Sequence, residues 1–183
     1  ANEMFLDSAS LRSSIVSHAK TLGYVPSSAR AAKATVDVTL NTNSSTATMP
    51  AGTVFSTTVG DTTFQFSTIE AFTKSNTGNS IPFVGVDIYE GTFITTRYTV
   101  DSSDIDQRFL LTDNRADTST LIVKVQTSST DSTSTTFTEA TDITQVTSGS
   151  NVFFLQEVEA GLFEVYFGDG VIGTALSDDN III

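Results

Sequence analysis

The chain has 183 residues, and 9 Lys+Arg against 21 Asp+Glu leave a net charge of −12 at pH 7. So few cations argue against a nucleic-acid groove, which must replace phosphate counterions, and disfavour an electrostatic membrane anchor. With no Cys and one His, disulfides, thiol catalysis, iron–sulfur clusters, thiolate zinc and His-cluster metal sites are excluded as well. The 13 Phe and 39% hydrophobic content are too apolar for a chain disordered throughout. Most of the remaining polarity is 23 Ser and 31 Thr. No apolar run approaches the roughly 18 residues of a bilayer-spanning helix.

The first residues, Ala1 to Asp7, have neither the basic region nor the apolar core of a secretion signal. Residues 8–22 carry the one helical pattern. Leu11, Ile15, Ala19 and Leu22 form a stripe with Val16 beside it. Asp7 or Ser8 is the expected cap, with Phe5 and Leu6 packing back on Leu11. Lys20 suits the negative helix end, Gly23 supplies a left-handed stop, and Pro26 blocks resumption. Ser27 to Lys33 is expected to add one more turn.

From Ala34 the period changes to two. Val36, Val38 and Leu40 alternate with Thr35, Asp37 and Thr39, as a half-buried strand requires. Asn41 to Ser45 and Met49-Pro50-Ala51-Gly52 read as turns, with a strand beginning at Val54-Phe55. Gly60-Asp61 is a hairpin dipeptide between Val59 and Phe64. Phe64 and Phe66 share a face, Ile69 and Phe72 follow more loosely, and Ser75 to Ser80 is a loop. Val84, Val86 and Ile88 are expected on one strand face, and Phe93 to Val100 is expected as another strand. Asp101 to Asp106 reads as a boundary or turn. Further strands are expected at 109–111, 121–125, 151–155 and 162–167. Thr127 to Thr136, nearly all Ser, Thr and Asp, reads as an exposed loop. Ile181-Ile182-Ile183 reads as the start of a buried strand, and its bare apolar end points to a longer polypeptide or to pairing with another chain.

Helices do not alternate with strands, and no fixed-period repeat is present. The expected fold is therefore mainly β, of α+β type: a short N-terminal helix followed by antiparallel β-sheet modules. The expected division is a helical segment at 1–33, a first β region at 34–100 and a second at 101–183 that is open to continuation.

Candidate chemistry is sparse. His18 would have to serve any Ser-His-Asp triad, but no G-x-S-x-G elbow exists and it lies off the helix stripe. Gly168-Asp169-Gly170 follows a strand, but no helix or Lys follows it as a phosphate cradle needs. Asp169, Asp178, Asp179 and Asn180 lack the register of a calcium loop. Asp169-Gly170 between Tyr166-Phe167 and Val171-Ile172 reads instead as a hairpin turn. Glu157, Glu159 and Glu164 lie near aromatics, but no spacing marks an acid–nucleophile pair, and Glu157 and Glu159 read as a solvated strand face. No catalytic, cofactor-binding or metal residue is assigned.

Two segments carry a resemblance. One is Leu11 to Pro26, ending in "LGYVP", followed by Ser28 to Ala34; the other is Gly161 to Gly173, containing "FEVYFGDGVIG". Pro50 to Phe55, Tyr89-Glu90-Gly91 and Asp117 to Val123 agree with them in order, so the likeness spans residues 5–183. Together they resemble the baseplate J-like family of contractile-tailed phages, and within it the large wedge proteins of T-even-type phages. The resemblance implies an internal portion of a non-enzymatic virion component that joins neighbouring wedges into a ring around the central hub. The implied partners are other wedge and hub proteins and further copies of itself, without nucleic acid or membrane. The implied location is the tail baseplate, assembled in the host cytoplasm. The residues shared with the family, Gly23, Tyr24, Pro26, Gly168, Asp169, Gly170 and Gly173, are expected to determine fold. The acidic, Cys-free, Thr-rich composition leaves two other readings: a bacterial surface adhesin or glycan-binding β module, and a calcium-stabilised β domain.

Overall fold

A computed structural model describes residues 2–183, apart from the side chains of Asn2 and Glu159. The protein is mainly β with one α-helix near the N-terminus, as its patterning predicts. It forms two compact units, Arg30–Thr95 and Ala1–Ala29 with Thr96–Ile183. The expected boundary near residue 100 thus falls at 95/96, and the helical segment belongs with the second β region.

In the 30–95 unit, β1 (Lys33–Asn41), β2 (Thr46–Met49), β3 (Val54–Val59), β4 (Thr62–Ser67), β5 (Phe72–Ser75) and β6 (Ser80–Glu90) follow one another. Four of them form a sheet in the order β1-β6-β4-β3, and β2 pairs with β5 as a separate ribbon. Gly60 takes φ +60° in the two-residue turn between β3 and β4, which only an unencumbered residue adopts without strain. The alternation predicted for β6 holds only from Val86 onward. Val36 pairs with Val86 but Val38 with Phe83, so Val84 and Gly85 bulge opposite Asp37. Gly85 has φ +69°, and its N–H donates to the Asp37 carboxylate at 2.7 Å. The extra residue moves the core face from Val84, which is 70% exposed, to Ile81 and Phe83. Those two join Met49, Val86 and Ile88 in the core, with Phe55, Phe66 and Phe72 packed against it. Buried Thr68 closes the corner after β4: its hydroxyl donates to Pro50 O at 3.0 Å and accepts from Thr53 N at 3.1 Å.

The other unit begins with α1 (Arg12–Thr21). Its strands are β7 (Tyr98–Thr99), β8 (Phe109–Leu110), β9 (Val123–Gln126), β10 (Ser134–Glu139), β11 (Val152–Glu157), β12 (Phe163–Phe167) and β13 (Ile181–Ile182). They form one sheet in the order β7-β13-β9-β10-β11-β12-β8, antiparallel except for β10 with β11. The sheet curls into a near-barrel. Its two end strands meet through Tyr98, whose hydroxyl donates to Leu110 O at 2.6 Å and whose ring meets Phe109 edge-on. Phe109, Phe167 and Phe137 continue this chain of edge contacts inward. The core is Val100, Val123, Val125, Phe137, Phe153, Leu155, Phe163, Val165 and Ile182.

Several expectations are corrected here. The predicted strand 93–100 shrinks to Tyr98–Thr99, because Gly91 at φ +114° ends β6 and the chain then passes between units. β10 begins inside the segment read as a loop, since buried Phe137 supplies a core residue that the polar run conceals. No helical turn forms at 27–33. Ile181 and Ile182 are buried as predicted, but the pairing sought in further polypeptide or another chain comes from β7 and β9 of the same unit.

Candidate functional site

Helix α1 starts later than its pattern suggested, and neither Asp7 nor Ser8 caps it. Leu11 is the N-cap and makes no side-chain cap bond. The Glu3 carboxylate takes over, accepting from Ser10 N at 3.1 Å, Ser10 Oγ at 2.8 Å and Leu11 N at 3.2 Å. These bonds, the Ser10 hydroxyl's foremost, lower its pKa to about 2. At the other end the expected stop forms. Gly23 has φ +72°, Tyr24 N donates to Ala19 O and Gly23 N to Lys20 O, a Schellman arrangement.

Little of the predicted apolar stripe is buried. Val16 and Ala19 are buried, while Leu11, Ile15 and Leu22 are exposed. Phe5 and Leu6 do not shield Leu11; they are 64% and 52% exposed. The face turned inward is instead organised by a charge. Arg12 donates through Nε and Nη2 to the Glu157 carboxylate at 2.9 and 2.7 Å. Glu157 is 1% exposed, on the buried face of β11 beside Phe163 of β12, so the solvated-face reading of this residue is overturned. A carboxylate taken from water needs a bonded cation, and a bidentate guanidinium supplies one. The same pairing raises the Arg12 pKa. A second tie lies beyond the helix, where the Ser28 hydroxyl accepts from Thr118 N and Oγ1, each at 3.0 Å.

His18 lines a shallow open hollow with Glu3, Ser13, Ser14 and Ser17. Its Nε2 lies 2.9 Å from the backbone oxygen of Glu3, and among the described residues no serine or carboxylate is hydrogen-bonded to the ring. The hollow therefore assembles no nucleophile–base relay.

Among the described residues, the acidic candidates do not converge. Glu164 pairs across the strands with Gln156 and Glu157 with Phe163, which places the two carboxylates on opposite faces of the sheet. Glu164 is bonded by Arg108 Nε and Nη2 at 2.9 and 2.8 Å, and that contact first of all lowers its pKa. The side chain of Glu159 lies outside the described residues. Asp178 accepts from Ser102 N at 2.7 Å, and the Asn180 amide donates to Thr127 O at 3.0 Å. Both serve the turn that delivers β13 into the sheet. Among the described residues, no three His, Asp or Glu side chains gather as metal ligands do.

Gly168-Asp169-Gly170 is not a hairpin turn, and Val171-Ile172 is not a strand. The Asp169 carboxylate accepts from Val171 N and Ile172 N, each at 2.9 Å, which curls the chain locally. Gly170 N then donates to Gly173 O at 3.0 Å, and Gly168 bridges to Ala175 in parallel. A Cβ on Gly168 would stand 2.3 Å from Ile172 O, so nothing but glycine fits. Oδ1 of Asp169 is thus engaged by its own turn.

Sequence reasoning missed Arg12 and Arg108 because their partners stand 145 and 56 residues away. Comparison with protein-family models and with curated proteins gives no match.

Proposed function

We propose that this chain is a structural portion of a contractile-tail baseplate wedge, joining neighbouring wedges into a ring around the hub and performing no catalysis. Its partners are other wedge and hub proteins and further copies of itself, within the tail baseplate. One observation carries the reading: the two segments behind the resemblance occupy positions of strict backbone demand. Gly23 closes α1 at φ +72°, and Gly168 sits where a Cβ would strike backbone. Residues shared for such reasons mark a common fold rather than a common reaction.

The surface of the N-terminal segment supports the same reading. Met4, Phe5, Leu6, Leu11, Leu22 and Tyr24 are each at least half exposed within one short stretch held to the β body by Arg12 and Ser28. Large apolar side chains left exposed along an anchored element favour a protein-contact surface. Reconstitution tests the proposal. The chain should enter a complex with wedge and hub proteins, and Leu11→Asp with Leu22→Asp should reduce its incorporation. A folded chain that joins no tail assembly would sink the proposal.

The glycan-binding alternative rests on one feature. Tyr166, 41% exposed, is stacked on Phe154 with ring centroids 5.6 Å apart. If that pair is a sugar platform, glycan arrays will show binding that Tyr166→Ala abolishes.

A further inference from the structure

The sheet of the 30–95 unit has two free edges, β1 and β3. They are protected very differently. β1 carries Lys33 and Asp37 and faces the bulge at Gly85. β3 reads Val54-Phe55-Ser56-Thr57-Thr58-Val59, with no charge, Pro or Gly. Apart from Phe55, every one of its residues is exposed. Natural edges are normally blunted by charges, bulges or prolines, and this one has none of them.

The ladder determines which groups are free. Val59 pairs with Thr62 across the two-residue turn, so these two exchange both backbone bonds. Thr57 with Phe64 and Phe55 with Phe66 follow the same alternation. Val54, Ser56 and Thr58 therefore turn their N–H and C=O groups to the open edge, where they meet no partner among the described residues.

We infer that the β3 edge pairs antiparallel with β3 of a second copy, about a two-fold axis through Thr57, extending the four-stranded sheet to eight strands. Three observations select a second copy as the occupant. The strip is uncharged in a chain of net charge −12, so two copies meet there without like charges on the pairing strands. The free groups are matched: Ser56 of one copy stands opposite Thr58 of the other and exchanges both bonds, twice by symmetry. The side chains are matched as well. Phe55 faces Val59, an aromatic–β-branched pair that covers a side chain now 65% exposed, and Thr57 faces Thr57. The inference does not depend on the wedge reading, since it concerns the isolated chain.

Analytical ultracentrifugation of the 183-residue chain should show a concentration-dependent dimer. Ser56→Pro removes only an outward N–H, so it leaves the β4 ladder intact and should weaken the dimer at least about ten-fold. Thr57→Lys sets two like charges face to face and should act in the same direction with the β-sheet circular dichroism unchanged. The chain has no cysteine, so Thr57→Cys offers a clean probe. Residues facing each other across a non-hydrogen-bonded pair stand roughly 4.5 Å apart at Cα, within disulfide reach. That variant should crosslink to a dimer under mild oxidant, while Thr63→Cys on β4 should not. A wild-type chain monomeric at about millimolar concentration, a Ser56→Pro dimer as tight as wild type, or equal crosslinking at positions 57 and 63 would each overturn the inference.

Discussion

The two units solve the same problem, covering a β core, with different kinds of information. The 30–95 unit is one uninterrupted stretch whose β3–β4 pairing is set by a two-residue turn and whose core face follows the period-two pattern with one bulge. The other unit is assembled from two separated stretches. Ile181 pairs with Thr99, Val165 with Phe109, and Arg12 reaches Glu157. Local turn chemistry is enough to build much of the first. The second is held by contacts that close only after distant segments meet, and loop-closure entropy opposes them until then.

The largest expected effect tests the distant assembly. Phe163, 2% exposed, lies in the centre of the near-barrel core. Phe163→Ala should cost about 3–5 kcal/mol in chemical denaturation. Hydrogen exchange should show the loss of protection in β9, β11 and β13. If those strands keep full protection, the core is not shared across them.

Next comes the buried ion pair. Arg12→Met leaves the Glu157 carboxylate buried without its bonds and should cost about 1–3 kcal/mol. It should also speed proteolysis within residues 1–29. Combining it with Glu157→Met should recover part of the loss, because the uncompensated charge is then gone. A double variant no better than the single one would show that Arg12 acts through packing alone.

In the local unit, Gly85→Ala meets no atom within 4 Å of the added carbon, so only its φ of +69° resists. A cost of about 1–2 kcal/mol is expected, smaller for Gly85→Asn, whose side chain tolerates that region. Equal costs for Ala and Asn would mean that the bulge has relaxed.

The smallest effect is a matter of pH. Glu3 is held at a pKa of about 2, below its ordinary 4.5. Its support of the helix start is therefore complete above about pH 4.5 and fades as pH falls toward 2. Far-ultraviolet circular dichroism should show fraying of α1 over that interval, absent in Glu3→Gln. A helix signal flat to pH 2 in the wild type would remove Glu3 from this role.

Residue order alone determined the fold class, the Gly60-Asp61 hairpin, the Gly23 stop of α1 and the strand character of 181–182, because each depends on neighbours within a few positions. It also pointed away from a metal or relay site, since the needed residue types are scarce. Four features were settled only by tertiary structure. They are the phase shift at Gly85, the strand hidden around Phe137, the curled turn at Asp169 and the arginine partners of Glu157 and Glu164. Three of them depend on a group brought from elsewhere in the chain, and periodicity carries no record of which distant partner will arrive; the Asp169 turn is local, but its side-chain-to-backbone bonds leave no periodic signature either.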